Sequence, residues 1–299
     1  MSNILSYLKI NHVFNNRIAI ARVFLALNAL LTLLFNNIKD ISNTNILGED
    51  SQISSQLFAI KHFTIFEMFG YSLGTFISVI ILLAVLTGYY PRITIIFQTW
   101  VHLSLCNTLI LIEGGDQVAS NLSLLLIPIC ILDSRKNQWD NSTINNNEQI
   151  NIFSNIYYFL IRLQIAVIYL HAGIGKLARE EWLDGTCLYY WCTHSVFGAP
   201  NYLQKIFSII TLSKFTPIFS WAVIFLEIGL FSCILATNKS IKRFFLFSGV
   251  LFHFGIMLTH GLVTFFCSMV GALILYLDNE NIIYKICKTI KYKIHGIKL

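Results

Sequence analysis

An all-α bundle of about eight membrane-spanning helices, with both termini on the cytoplasmic side, is the fold this sequence predicts. Three observations carry that reading. Charge is sparse: Asp, Glu, Lys and Arg make up 12% of the 299 residues, against about 25% in soluble domains. Mean hydropathy is +0.66, and apolar runs recur that approach the ~20 residues needed to cross a bilayer. Lys and Arg also divide unevenly between the loops, as membrane topology requires. A soluble reading leaves too little polar surface to cover a core. The net charge of +6 is accounted for by where the basic residues fall, so no nucleic-acid partner is called for.

The elements follow in order, as one integral membrane domain over 1–299. Met1 to Asn16 is a polar lead with no cleavable signal peptide, and Arg17 to Phe35 is the first span. Arg22, near its inner end, is expected to snorkel to water. Asn36 to Lys61 reads as a polar loop, and His62 to Gly70 as a half-apolar piece along the interface. Tyr71 to Gly88 and Ile93 to Ile112 are spans joined by the turn Tyr89-Tyr90-Pro91-Arg92. A hinge, Glu113 to Gln117, leads into a short span, Val118 to Leu132. Residues 133–151 form a cytoplasmic linker, Asn-rich and prone to disorder. Ile152 to Leu177 is the fifth span, 178–215 an extracytoplasmic loop with amphipathic pieces, and Pro217 to Thr237 the sixth span. Ile241 to Leu277 must hold two tight spans turning near His260-Gly261, followed by a basic cytoplasmic tail over 278–299.

Eight spans put both termini on one side. That side carries Lys9, Arg17, Arg92, Arg135, Lys136, Lys239, Lys242, Arg243 and the tail lysines 285, 288, 291, 293 and 298; the other carries only Lys39, Lys61, Lys176, Arg179, Lys205 and Lys214. The richer side is cytoplasmic. The Glu113 hinge, Lys176 and the loop after it therefore face outward.

Ionisable groups inside spans are costly and need a reason. His102, Cys106, Leu109 and Glu113 fall at helical spacing, which sets His102 and Glu113 about 20° apart around an axis and roughly 16 Å apart along it. His253 and His260 share a face about 10 Å apart, Glu227 sits in mid-span, and Gln117 and Asn121 share one face. The simplest expectation is one outward cavity lined by Lys176, His171, Glu113, Asp116, Glu227, His253 and His260. A lone membrane histidine is also an ordinary packing residue, and no HxxH or HxxxH pair suggests a metal. Cys187 and Cys192 fit either a disulfide or two unpaired thiols on a helix.

Lys176 ends an apolar helix. Tyr169, Ala172 and Gly173 lie on its face, and Gly173 and Gly175 leave room for a backbone or a flat ligand. It is either a snorkelling lysine or, if enclosed, an amine able to act as a base.

The stretch LHAGIGKLAREEWLDGT resembles the signature of the HTTM membrane domain, which the vitamin K-dependent gamma-carboxylase shares. The resemblance makes Lys176 the counterpart of that enzyme's catalytic base, framed by Ala172, Gly173, Leu177, Trp182 and Gly185. The carboxylase's lumenal domain has no counterpart here. Three blocks, at Ala26 to Asn36, Glu113 to Lys136 and His171 to Ala199, resemble the sporulation-delaying protein B (SdpB) family of bacterial antimicrobial-peptide systems. That likeness implies a protein of the bacterial cell membrane acting with a small SdpA-like partner on a secreted peptide precursor, its active face extracytoplasmic. On it, Lys176 is the expected base, with His171 or His260 relaying a proton and Glu227 tuning the site. Glu113, Asp116, Gln117, His102, His253, Trp182, Gly173 and Gly175 are the expected cavity residues. The suggested cofactor is a reduced quinone such as menaquinol. A non-enzymatic scaffold or export factor is the alternative.

Overall fold

The computed structural model describes residues 13–42, 63–140, 147–195, 197–278, 281–286 and 289. Among them the chain is helical, with two isolated antiparallel bridges, Ser42 to Leu109 and Tyr89 to Asn137. The helices are α1 (Asn16–Phe35), α2 (Ile65–Thr87), α3 (Pro91–Thr108), α4 (Gly114–Leu132), α5 (Glu148–Leu177), α6 (Glu180–Leu183), α7 (Thr186–Thr193), α8 (Asn201–Thr211), α9 (Thr216–Ser232), α10 (Lys239–His260) and α11 (Val263–Leu277).

Capping chemistry sets most of the starts. Asn15, Thr64, Asn147 and Asn238 each accept a hydrogen bond from a backbone N–H of the helix that follows, satisfying donors a helix leaves open. Pro91 and Pro217 stand in the first turns of α3 and α9, where the missing N–H costs nothing. The half-apolar piece before the second span is the first turn of α2, set off by a kink at Gly70.

Helices α1 and α11 form the spine. Every residue of α11 from Cys267 to Leu277 is buried, and α11 packs chiefly on α1, with α4, α5 and α10 around it. The lower half of α1 joins α4, α5, α9 and α11 in one apolar core; its upper half meets α2 and α3 in another. Between helices in lipid, this close packing supplies the attraction.

One end of the bundle carries Glu113, the end of α5, helices α6 to α8 and the α10–α11 turn. At the opposite end lie the start of α1, the α2–α3 turn, Asp133 to Trp139, and the α9–α10 turn. Helix α8 meets α9 at 99°. Its Tyr202, Ile206 and Ile209 are exposed, the geometry of a helix lying in an interface.

The chain is a multi-pass membrane protein. Among the described residues, five helices (α1, α2, α4, α5, α10) are long and apolar enough to cross a bilayer, six if α8 and α9 are one bent span. Helix α3 falls outside that set because its buried side carries Gln98, Thr99, His102 and Ser104.

Three expectations need correction. Arg22 does not snorkel: it is fully buried and donates to Gln98 Oε1 (3.2 Å), Gln138 Oε1 (2.7 Å) and Thr94 Oγ1 (2.9 Å). Those oxygens replace water, so the guanidinium has no need to reach it. The linker is folded over Asp133 to Asp140, where Arg135 pairs with Asp133 through both carboxylate oxygens (2.9 and 2.8 Å) and the strand-like backbone bonds to Gly88 and Tyr90. Residues 141–146 lie outside the described residues. Helix α3 ends at Thr108, so Glu113 does not continue the face of His102; it caps α4 instead.

Candidate functional site

Lys176 sits in the last turn of α5. Its Nζ donates to both oxygens of Glu227, at 2.8 and 2.7 Å, and reaches the Ala172 carbonyl at 3.4 Å. The side chains are 19% and 5% exposed, so the pair is enclosed without being sealed. The Trp182 ring covers the ammonium at 4.9 Å, a cation–π contact strengthened where water is scarce.

Each element of the motif is held against α9. Gly173 lets α5 approach: a Cβ there would meet Ile228 Cγ1 at 3.0 Å and Glu227 Cβ at 3.6 Å. Trp221 donates to the Leu183 carbonyl (3.2 Å), fixing α6 and the Trp182 ring over the pair. Gly185 has φ +87°, and a Cβ would lie 2.7 Å from Pro217 N. The turn is closed by Asp184, whose Oδ1 accepts from the Thr186 amide (2.9 Å) and hydroxyl (2.7 Å). Those two bonds hold the Asp184 carboxyl below its ordinary range. The spacing Gly173, Lys176, Trp182, Gly185 is therefore the footprint of one surface on one helix.

Behind the pair, one and two turns back along α5, Tyr169 OH meets His253 Nε2 at 2.9 Å. Both are buried, and His253 Nδ1 has no hydrogen-bond partner. Tyr169 and Lys176 are seven residues apart, so the Tyr169–His253 pair lies two turns back on the helix face that carries Lys176 with its partners Glu227 and Trp182.

The other expected residues do not join it. Glu113 and Asp116 belong to a second cluster: Glu113 accepts from Thr264 Oγ1 (2.6 Å), and Asp116 accepts from Asn28 Nδ2 (3.0 Å) and the Glu113 amide (3.3 Å). His253 packs edge-on against Phe265, beside Thr264, so the two clusters touch only through apolar contact. His171 is exposed, five residues and about 140° from Lys176 on the helix. His260 Nδ1 pairs with the Phe197 carbonyl (2.7 Å) and its ring meets Trp191; it anchors the loop. Gln117 and Asn121 are exposed on the outside of α4. His102 is buried on α3 with Nε2 unpartnered, one turn from Cys106.

Of the two glycines, Gly173 is filled by Ile228, while a Cβ at Gly175 would meet nothing within 4 Å. The small face at Gly173 therefore holds the backbone of α9, the first of the two occupants the glycines were expected to admit. Cys187 and Cys192 are buried, unbridged thiols on α7. Five residues along a helix separates Cα atoms by about 8–9 Å, beyond disulfide reach, and burial pushes both thiols up. Among the described residues no group of three or more His, Cys, Asp or Glu is placed to hold a metal. An open cleft of about 560 Å³, lined by Asp184, Tyr189, Tyr190, Lys214 and Pro217, lies beside the Gly185 turn.

Sequence reading missed Asn28 and Thr264. Asn28, one amide in an otherwise apolar span, was the available signal.

A multi-helix membrane bundle with an enclosed lysine at the end of a helix defines the class, and residues 119–280 match the HTTM domain. The chain is 33% identical to "Sporulation-delaying protein SdpB" of Bacillus subtilis (strain 168), over 96% of this chain and 89% of that protein. It is 34% identical to "Uncharacterized protein YitO" of the same organism, over 88% of this chain and 85% of that one. The chain belongs to the SdpB family of HTTM-domain membrane proteins. No solved structure gives a significant match.

Proposed function

We propose that this protein acts in the cell membrane in the production of a secreted antimicrobial peptide, with the Lys176–Glu227 pair as its proton-transfer centre. The family supports the process, through the printed name of the SdpB relative. The observation that carries the site is the two-oxygen contact of Lys176 with Glu227 beneath the Trp182 ring. At rest the pair is an ammonium and a carboxylate. Separated charges lose stability as water is expelled, so a peptide segment closing over the pair favours the neutral form, in which the proton has passed from Nζ to Glu227. The free amine then accepts a proton from the docked segment and becomes an ammonium again, and the segment's conjugate base takes up an electrophile, the added group that the mass of the released peptide reports. Tyr169 and His253 stand behind the pair as a hydrogen-bonded support.

In this reading the termini are cytoplasmic, eight helices span, and the Lys176 end with its cleft faces outward, where an exported precursor and a small SdpA-like partner meet it. The basic-residue distribution supports that orientation. A second reading, a membrane scaffold or export factor, is favoured by one observation: Glu227 already neutralises Lys176, as a purely structural pair would.

Mass spectrometry of the peptide released by producing cells with and without this chain tests the proposal. A mass difference of a few atoms, lost when the chain is absent, is the expected result. An identical mass with only a lower yield supports the scaffold and ends the chemical reading.

A further inference from the structure

A second set of cations lies at the opposite end of the bundle. Arg162 projects from the middle of α5, and its Nε and Nη2 are buried with no hydrogen-bond partner. Lys242, in the first turn of α10, is 9% exposed. Helix α10 packs against α11, so its first turn stands at the same end of the bundle as the last turn of α11, where Arg162 meets the Tyr276 ring. Arg17 stacks on the Tyr158 ring at 4.4 Å, and Arg162 lies 5.8 Å from the Tyr276 ring centre.

The neutral groups nearby cannot balance the charges of Arg162 and Lys242. Tyr276 OH is committed to the carbonyls of Leu230 (2.9 Å) and Phe231 (3.0 Å). Cys233, at the end of α9, is a buried cysteine with no disulfide. Among the described residues no carboxylate lies within ion-pair distance of Arg162 or Lys242. Buried guanidinium N–H groups without acceptors are costly in a protein and more so in a membrane. Like charges gathered there add to the cost.

Depth identifies the missing partner. Arg17, Lys242, Cys233 and Tyr276 all stand within four residues of the ends of α1, α10, α9 and α11, and the Arg162 side chain, though it starts from mid-helix, reaches that level at the Tyr276 ring. That is the level of a bilayer's headgroups. We propose that Arg162 and Lys242, with Arg17 at the edge, form a binding site for a phosphate group, presented either by an anionic phospholipid headgroup or by a free phosphate. A planar arginine fork beside a point-charge lysine suits tetrahedral phosphate oxygens. This site is independent of the chemistry proposed at Lys176.

The test uses the full chain, delipidated in an uncharged detergent, and follows thermal unfolding at constant ionic strength. Phosphatidylglycerol, phosphatidylcholine, inorganic phosphate and chloride are titrated separately. Saturable stabilisation by phosphatidylglycerol alone assigns the site to a lipid headgroup; stabilisation by inorganic phosphate as well assigns it to phosphate from either source. Arg162→Gln and Lys242→Gln are each expected to raise the half-saturating concentration at least tenfold. A chain with Lys288, Lys291, Lys293 and Lys298 changed to Gln is expected to respond like wild type, which separates the site from the basic tail. In anion-free detergent the two site variants should melt no lower than wild type, since each removes an uncompensated charge. Equal effects of chloride, no effect of either phosphate source, or an unchanged response in both variants would overturn the assignment.

Discussion

Replacing Lys176 by methionine is expected to be one of the two most destabilising single changes at its ion pair. It leaves the Glu227 carboxylate, 5% exposed, without its partner. Breaking a buried pair from one side costs about 3 kcal/mol, or roughly 5–10 °C in the melting temperature of a chain this size. Glu227→Met should cost a similar amount, because it strands the ammonium. The double change Lys176→Met with Glu227→Met should recover most of the loss, since two apolar side chains replace two charges between α5 and α9. Toxin output separates the two readings of the pair. If the pair only joins helices, the refolded double variant matures peptide as wild type does. The proton-transfer account expects its output to fall at least a hundredfold while its melting temperature returns. Measuring both on one set of strains, with membrane levels matched, decides between them.

The second large effect is expected at Gly185. Its φ of +87° is open to glycine and disfavoured for other residues, and a Cβ would stand 2.7 Å from Pro217 N and 2.8 Å from Thr216 C. Both obstacles are backbone, so Gly185→Ala must push α6 away from the start of α9. The left-handed conformation alone costs about 1–2 kcal/mol for alanine, and the clash adds to it. The Trp182 ring then loses its place over Lys176, and output is expected to fall at least tenfold. Gly175→Ala is the matched control. Nothing lies within 4 Å of its Cβ, and in the last turn of α5 alanine is favoured over glycine by at most about 0.5–1 kcal/mol. Wild-type output and an equal or higher melting temperature are expected for it. A Gly175→Ala defect as large as that of Gly185→Ala would contradict the packing account.

These two glycines show how the motif could be seen before its meaning. Residue types marked Lys176, Glu227 and Gly173, and the family resemblance added Trp182. The pairing of Lys176 with Glu227 was hidden because 51 residues separate them, and helical periodicity relates positions only within one helix. The expected shared cavity failed for a related reason. Each polar stripe was assigned a direction from its own helix, but Gln117 and Asn121 face outward while Glu113 and Asp116 turn to Asn28 and Thr264. The helix starts were legible because Asn15, Thr64, Asn147 and Asn238 are local signals. The end of α3 was not: Leu109 to Ile112 is as apolar as a span, and it leaves the helix because Leu109 pairs with Ser42.

Counting basic residues for orientation had a further cost. The loops and tail hold 19 of the 21 Lys and Arg residues, 13 on one side and six on the other; the two left over are Arg22 and Arg162. Both stand well inside their helices, away from the ends where the others gather. Arg22 has its oxygens supplied by Gln98, Gln138 and Thr94, whereas two nitrogens of Arg162 have none. The contrast between a satisfied and an unsatisfied buried arginine is visible only in three dimensions.

The central claim is that the Lys176 amine carries a proton to or from the peptide, and Lys176→Arg tests it most directly. Arginine keeps the positive charge and the ion pair with Glu227, yet it cannot give up its proton near neutrality. Peptide maturation by that variant, at matched membrane levels, is predicted to fall to the level of a strain lacking the chain. Maturation equal to wild type would contradict the claim and leave Lys176 as a structural partner of Glu227.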